Sequence, residues 1–393
     1  MADSDPDRPL SRRLRDRLDP ETSRRQFLRA AVNVGFGAGM AHFLSVEDVL
    51  GAPSGEVPIV YGFARTDPGD PASLSPRTTT VPAEWYDRMR YAFEMHRKLR
   101  AAETPGILDS FVSPGKSAVD VSIAVRAADA TARERIRDLG ARLSESVGGL
   151  TFEVTERTDA SRAAPSGPSP TYVGSISDHR PPSGVAVAGS HGLGTLSPAL
   201  YDTRSGRRFF TTSNHLYGEK GAKRTQHRGT PLWLVTADRS ASVGAVRRGF
   251  PAADFVRVEP IDEYAPPSRI LGADPERVDG HFTRYGLADL KARGEPLRKV
   301  GALSGHTEGR IKGIDGVTCF AGEVCKRGQL EWGDQRTITD GDSGSVSYHP
   351  DPERPEEAVM IASIDNARTW WPGSDYTWGT AAYHIYNRYG FSF

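Results

Sequence analysis

Cysteine is almost missing from this chain of 393 residues, which carries only Cys319 and Cys325. Two thiols with no histidine pair beside them fall short of a zinc site, so no metal is expected. The five residues between them, centred on Gly322, are compatible with a hairpin whose sulfurs face each other across the ladder, and a disulfide formed after export is the expectation. Net charge is missing too. Fifty basic residues balance fifty acidic ones, so no strong field points toward nucleic acid or an anionic membrane, and no nucleic-acid partner is expected. Long apolar runs are also wanting: the weakly apolar stretch from Ala30 to Leu44 is short against the roughly 20 residues that a membrane-spanning helix needs.

That stretch follows Ser23-Arg24-Arg25-Gln26-Phe27-Leu28-Arg29, and the whole of residues 1–52 looks like a twin-arginine export signal. An amphipathic surface helix is the alternative. Export would put the protein outside the cell or at its surface, with the membrane touched only through an uncleaved signal. No clean A-x-A cleavage site follows. Residues 53–80, with Pro53, Pro58, Pro68, Pro71 and Pro76, read as a linker. Glu84 to Ala102 has helical spacing, with Trp85, Met89, Tyr91, Phe93 and Leu99 among charged residues. Val119 to Val125 alternates with period two, Ala130 to Ser146 is helical, and Leu150 to Thr155 alternates again, so residues 117–157 read as a compact α+β unit, and residues 53–162 as linker plus that small domain. The breaker-rich segment 163–171 is the best domain boundary.

From Tyr172 onward the pattern changes. Short β-rich runs alternate with Gly, Pro and Asp turns: Gly184 to Ala188, Arg208 to Thr212, Pro231 to Thr236, Phe255 to Val258, Ile311 to Ile314 and Val359 to Ile364. This suits antiparallel barrels, and the chain is long enough for two of them plus a smaller domain. Segment 262–298 is longer and more polar, with a helix expected at Leu287 to Arg293, and the sequence suggests no role for it.

Within the β-rich half, Gly341-Asp342-Ser343-Gly344-Ser345 suits a nucleophile on a tight turn. The glycines permit backbone conformations closed to other residues, so the amides of Gly341 and Ser343 could converge on one oxygen; the same residue types also crowd ordinary turns. A serine needs a histidine to take its proton and a carboxylate to hold that histidine. His215 ends the apolar run Phe209 to Ser213, which reads as a strand end, and Asp254 opens the β-rich run Phe255 to Val258. Asp238 competes by proximity in sequence, but Asp254 is preferred. His179, His191, His227, His281 and His306 read as surface or loop residues.

The chain order His215, Asp254, Ser343 resembles that of the chymotrypsin-fold serine peptidases, closest to the secreted branch typified by streptogrisin and α-lytic protease. The resemblance rests on Gly194-Thr195-Leu196 to His215, Phe250-Pro251 to Asp254, Ser304 to Gly309, Gly341 to Ser345, and the tail from Gly379 to Phe391. These stretches lie within residues 172–393. Three departures stand out: Leu216 replaces the cysteine that often follows the histidine, Ser345 replaces the last glycine of the nucleophile motif, and no Ile-Val-Gly-Gly terminus is present. The last argues against activation by a newly freed amino terminus.

The resemblance implies a mainly β fold of two antiparallel six-stranded barrels, with His215 and Asp254 in the first and Ser343 in the second. It implies Thr337 at the floor of the substrate pocket, walls near Asp365 and Gly379-Thr380, and Ser363 at the position whose backbone pairs with substrate. It gives the α+β unit the part of a pro-region, although a permanent accessory domain fits the same residues. The implied activity is that of an exported serine endopeptidase acting on polypeptides as a monomer, with no cofactor. Asp342, next to the nucleophile, is expected to orient the oxyanion loop through a buried polar contact. The alternative is a catalytically inactive peptidase-like module that binds or scaffolds outside the cell.

Overall fold

The computed structural model describes residues 46–145, 150–156, 179–218, 227–319, 325–334, 336–369 and 376–393, with Thr171 and a few isolated positions before residue 46. The Arg24-Arg25 pair and nearly all of segment 163–171 therefore lie outside the described residues. Among those described, no helix is long and apolar enough to cross a membrane.

Residues 53–80 are not a linker. They form a hairpin of β1 (Glu56–Arg65) and β2 (Leu74–Pro82), in which Pro58 and Pro76 sit opposite Thr80 and Phe63 without breaking the register. Every β1 residue from Val57 to Arg65 is buried, so this strand is covered on both faces. Helix α1 (Ala83–Ala101) follows as its periodicity predicts, burying Trp85, Met89, Ala92, Phe93, His96 and Leu99 along one stripe. Next come β3 (Ile107–Ser113), β4 (Ser122–Ala127), α2 (Ala130–Glu145) and β5 (Thr151–Glu156). Strands β4 and β5 run parallel, as a helical crossover requires.

The first barrel is built from β6 (Ala186–Ala188), β7 (Leu193–Thr195), β8 (Leu200–Asp202), β9 (Arg208–Phe209), β10 (Pro231–Val235), β11 (Ser240–Phe250) and β12 (Phe255–Pro260). Five of these form one sheet in the order β12-β11-β10-β6-β7. The residues that continue β9 close it: Phe210 bridges Val258 of β12, and Thr211 O accepts from Ser197 N beyond β7 at 3.0 Å. Period-two burial supplies the filling, with Leu232 and Leu234, Val256 and Val258, and Val185 and Val187 all pointing inward.

The second barrel follows β13 (Val278–Phe282) and α3 (Arg284–Arg293). Its strands are β14 (Pro296–Gly301), β15 (Gly305–Thr318), β16 (Lys326–Trp332), β17 (Val346–Pro350), β18 (Val359–Thr369) and β19 (Tyr376–Ala381). They pair in the closed antiparallel ring β14-β15-β16-β19-β18-β17. Helix α4 (Ala382–Tyr389) and β20 (Phe391–Ser392) return the chain to β8.

The N-terminal unit is hydrogen-bonded into this second barrel at two places. Strand β3 pairs with β15, and β1 pairs with β13, which lies parallel to β18. Segment 262–298 thus gains the role that its sequence did not suggest, since its β13 and α3 are the strip onto which the N-terminal hairpin docks. Arg65, fully buried, donates to the carbonyls of Val278 and Phe393 and fastens β1 from within.

Candidate active site

The run Phe209 to Ser213 does not stop at a strand end. After the bridge Ser213 to Phe255 it turns into a 3-10 helix, Asn214–Tyr217, which leaves the His215 ring partly exposed while Asn214 and Leu216 are buried. Asp254 follows the 3-10 turn Pro251–Ala253 in the left-handed region at φ 48°, a conformation that Asp tolerates better than most residues. Two contacts lock the turns together. The His215 backbone N–H donates to Asp254 Oδ1 at 2.9 Å, and His215 Nδ1 stands 2.8 Å from Oδ2.

Lys326 Nζ donates to the same Oδ2 at 2.6 Å. Burial pushes the Asp254 carboxyl upward, but attraction to His215 and Lys326, with their hydrogen bonds, outweighs it and holds the group well below the ordinary carboxylate range. Asp238 is exposed in the β10–β11 turn.

The Ser343 loop crosses to this pair from the second barrel. Gly344, at φ +96°, lies so close to the first barrel that a Cβ there would stand 2.2 Å from Thr212 Oγ1 and 2.3 Å from Thr195 O. Thr195 N donates to Ser343 O at 2.8 Å. The Ser343 loop therefore packs on the strand that leads into His215. Gly341 is also left-handed, at φ +99°. The amides of Asp342, Gly344 and Ser345 donate to Thr339 O, Asp365 O and Asp342 O, whereas among the described residues the amides of Gly341 and Ser343 donate to nothing. Nor does Ser343 Oγ make a hydrogen bond among the described residues, and contacts of this kind often tighten only when substrate arrives.

Asp342 points away from Ser343. Its carboxylate takes Lys299 Nζ at 3.0 Å and the amides of Leu303, Ser304 and Thr339 at 2.9–3.1 Å. Burial alone would raise its pKa; Lys299 and these hydrogen bonds reverse that and hold the carboxyl below its usual range.

Of the four residues assigned to substrate binding, three converge. Asp365 and Gly379 are opposite in register, and Ser363 Oγ donates to Asp365 Oδ1 at 2.8 Å. Trp332 Nε1 donates to that same oxygen at 3.1 Å. Burial pushes the Asp365 carboxyl up to about 7 despite the attraction of Lys299 and these two donors. The Ser363 backbone, however, is held inside the sheet between Ser347 and Ala381. Beyond Asp365, the pairing of β18 with β17 ends while that with β19 continues, so among the described residues Asn366 and Ala367 form the strand edge beside the Ser343 loop. Thr337 sits in the turn that follows β16, its hydroxyl accepting from Asp334 N at 2.8 Å, and that turn is held to β18 and β19 by Arg368 on Ile338 O and Thr377 on Asp334 O.

Lys299, Lys326 and Trp332 were missed by sequence reasoning, because an isolated lysine or tryptophan in a strand carries no local signal. His281 differs from its reading as a surface or loop residue. It lies fully buried on β13 with neither ring nitrogen hydrogen-bonded, and burial, aided by Arg65, pushes its pKa down to about 3. Cys319 and Cys325 are joined by a disulfide, with Cα atoms 4.3 Å apart, where β15 and β16 meet at Thr318 and Lys326. Among the described residues no group of three or more His, Cys, Asp or Glu could hold a metal.

No protein-family model matches the sequence, and no curated protein matches it. Solved structures do. A glutamic-acid-specific serine protease, described as using a histidine triad in substrate binding, is 15% identical over 53% of this chain and 98% of its own, with a TM-score of 0.38. The active form of the Rv3671c protease from M. tuberculosis is 11% identical over 59% of this chain and 92% of its own, with a TM-score of 0.31. The fold itself is mainly β, two barrels that meet where the His215 turn, Asp254 and the Ser343 loop come together.

Proposed function

We propose that the protein is an exported serine endopeptidase that hydrolyses peptide bonds through an acyl-enzyme intermediate. Ser343 attacks the peptide carbonyl, His215 accepts its proton and returns it to the leaving amine, and Asp254 holds the imidazole in the required tautomer. The observation that carries the reading is the pairing of His215 with buried Asp254, together with two amides in the Ser343 loop, Gly341 and Ser343, that donate to nothing among the described residues. Such amides can receive the negative charge that develops on the carbonyl oxygen. The edge of β18 at Asn366 and Ala367 can pair with an extended polypeptide as an added strand, and Asp365, Gly379 and Thr337 belong to the surroundings of the residue before the cleaved bond. The enzyme acts as a monomer outside the cell or at its surface, reached by the twin-arginine route, with no cofactor and no nucleic-acid partner.

A second reading, a non-catalytic binding module on the same fold, is favoured by one observation: Lys326 shares the Asp254 oxygen on which the histidine depends. Labelling by a serine-reactive fluorophosphonate separates the two. The endopeptidase reading expects modification of Ser343, abolished by Ser343→Ala, together with cleavage of casein or a peptide library. A folded, secreted protein that does neither is a binding module.

A further inference from the structure

Triad chemistry has no use for an ammonium group on its aspartate, yet this molecule supplies one. Lys326 opens β16 directly after Cys325, and its Nζ lies 2.6 Å from the Asp254 oxygen that His215 Nδ1 reaches at 2.8 Å. The side chains of Lys326 and Asp254 are only 15% and 3% exposed, so little water screens the contact. A single carboxylate oxygen is shared between an imidazole and a cation.

On the reading of His215 as the general base, we propose that Lys326 is a positioning residue that restrains the triad by drawing on the Asp254 charge and so lowering the basicity which that carboxylate confers on His215. The carboxylate helps catalysis by stabilising the imidazolium that forms as the serine is deprotonated. A fixed positive charge on the same oxygen cancels part of that field and repels the second cation. The restraint is built into the fold. Lys326 is paired with Thr318, the Cys319–Cys325 disulfide closes the hairpin, and Cys319 N donates to Leu108 O of β3 at 2.7 Å. The lysine is thus carried on the hairpin that the N-terminal unit grips.

Other titratable groups on the elements around Asp254 face elsewhere. Arg248 lies over the Phe250 ring at 5.0 Å, Tyr389 packs on Phe255 at 5.4 Å, and His227 packs on Tyr217 at 5.7 Å. The causes that depress the Asp254 carboxyl are likewise His215 and Lys326.

Lys326→Gln and Lys326→Met remove the charge, and Lys326→Arg keeps it. Two readouts are compared: the pH dependence of kcat/KM, and an NMR titration of the His215 ring in a Ser343→Ala background, which needs no turnover. Both neutral variants should move the ring titration and the acid limb of activity upward by roughly one pH unit. They should raise the plateau kcat/KM by roughly three- to tenfold, while Lys326→Arg keeps the parent profile. An unchanged or lowered midpoint in both neutral variants overturns the proposal, as does lost activity at an unchanged midpoint.

If the neutral variants do not fold, the Lys326 Nζ resonance of the Ser343→Ala protein decides. It should respond as His215 titrates, because charges sharing one oxygen titrate as a coupled set, and a lysine signal blind to the histidine rejects the idea. Should the parent enzyme take up no fluorophosphonate, the endopeptidase reading fails by itself, and the ring titration still tests the lysine.

Discussion

Lys299 Nζ and Asp342 Oδ2 stand 3.0 Å apart with both side chains wholly out of water. This ion pair ties the Ser343 loop to β14 from within the second barrel. Removing one member of a buried pair leaves the other charged and unpaired, at a cost of about 3–5 kcal/mol. Lys299→Met should lose about that much in a urea unfolding experiment and lose fluorophosphonate labelling as well. Adding Asp342→Asn should restore part of the stability but not the labelling, because the amide keeps one acceptor oxygen where the carboxylate takes three backbone N–H groups on two.

Triad membership has its own signature. Groups that act as a unit are non-additive, so Ser343→Ala with His215→Ala should be hardly slower than either single variant. Asp254→Asn should lose about 10⁴-fold in kcat, since the amide favours the wrong imidazole tautomer. Asp238→Asn, in its exposed turn, should be mild. Activity should rise with pH as the imidazole loses its proton. Additive losses in the double variant would falsify the assignment.

Arg126 on β4 forks onto Glu331 of β16 at 3.1–3.3 Å and holds Asp109 of β3 at 2.6 Å, tying the N-terminal unit to the second barrel. Burial is the largest influence on both acids and, despite Arg126, pushes Glu331 up to about 7 and Asp109 up to about 6. A carboxyl whose pKa is raised on folding takes up protons as the chain folds, so its stabilising contribution is complete below its unfolded value near 4 and is lost as pH climbs through 6 to 7. Buried Asp365, raised to about 7, acts in the same direction. Asp254 and Asp342, both depressed, act oppositely and lose their contribution only as pH falls below the ordinary carboxylate range. The stabilising contribution of Glu331, Asp109 and Asp365 should therefore decline from pH 5 to pH 7. Buried His281 and partly buried His384 run against it, since their lowered pKa values favour folding as pH rises toward 6.5. Glu331→Gln should change the pH slope of the unfolding free energy by about 1.4 kcal/mol per pH unit, in the direction of removing one declining contribution. A slope unaltered by Glu331→Gln in urea titrations at several pH values would remove this carboxyl from the account.

How far the sequence reaches is clear from particular residues. His215, Asp254 and Ser343 could be found because each sits in a short stretch whose local chemistry is unusual: a histidine after a β run, an aspartate at a Pro-initiated turn, a serine between glycines. Lys299 and Lys326 could not, because their meaning is topological; only barrel closure brings β14 to Asp342 and β16 to Asp254. The β1–β2 hairpin was hidden by its prolines, which mark turns in most chains yet here lie within a paired ladder. His281 was misjudged for a related reason, since β13 becomes an interior strand only when β1 docks on one side and β18 on the other. Ser363 lies three residues before Asn366, where the edge of β18 begins, because strand pairing and not motif distance decides which backbone is free.

The Arg24-Arg25 pair of the proposed export signal lies outside the described residues, so its test is cellular. Changing both Arg24 and Arg25 to Lys should retain the protein in the cytoplasm, as fractionation would show, because twin-arginine recognition distinguishes the two cations. Undiminished secretion of the double variant would leave the stretch as a surface helix.

The last prediction asks whether the N-terminal hairpin stays with the enzyme. Gly286 lies in the first turn of α3, directly against β1: a Cβ built there would stand 1.9 Å from Tyr61 O and 2.7 Å from Tyr61 C. Thr283, which caps the helix through Gly286 N, also donates to Tyr61 O and to Val60 O. In a helix whose surface is free, Gly→Ala stabilises by about 1 kcal/mol. Against an immovable backbone it overpacks, and overpacking costs about 1–3 kcal/mol or more. The sign of Gly286→Ala thus reports the presence of β1. Strand β1 is buried from Val57 to Arg65 and pairs on both sides, so stripping it away would expose the strip that β13 and α3 offer it. The expected outcome is that secreted protein carrying Gly286→Ala melts below the parent, and that the intact mass of the parent includes residues 56–156. A secreted form that lacks residues 53–162 and gains stability from the same substitution would show instead that the unit is a removable pro-region.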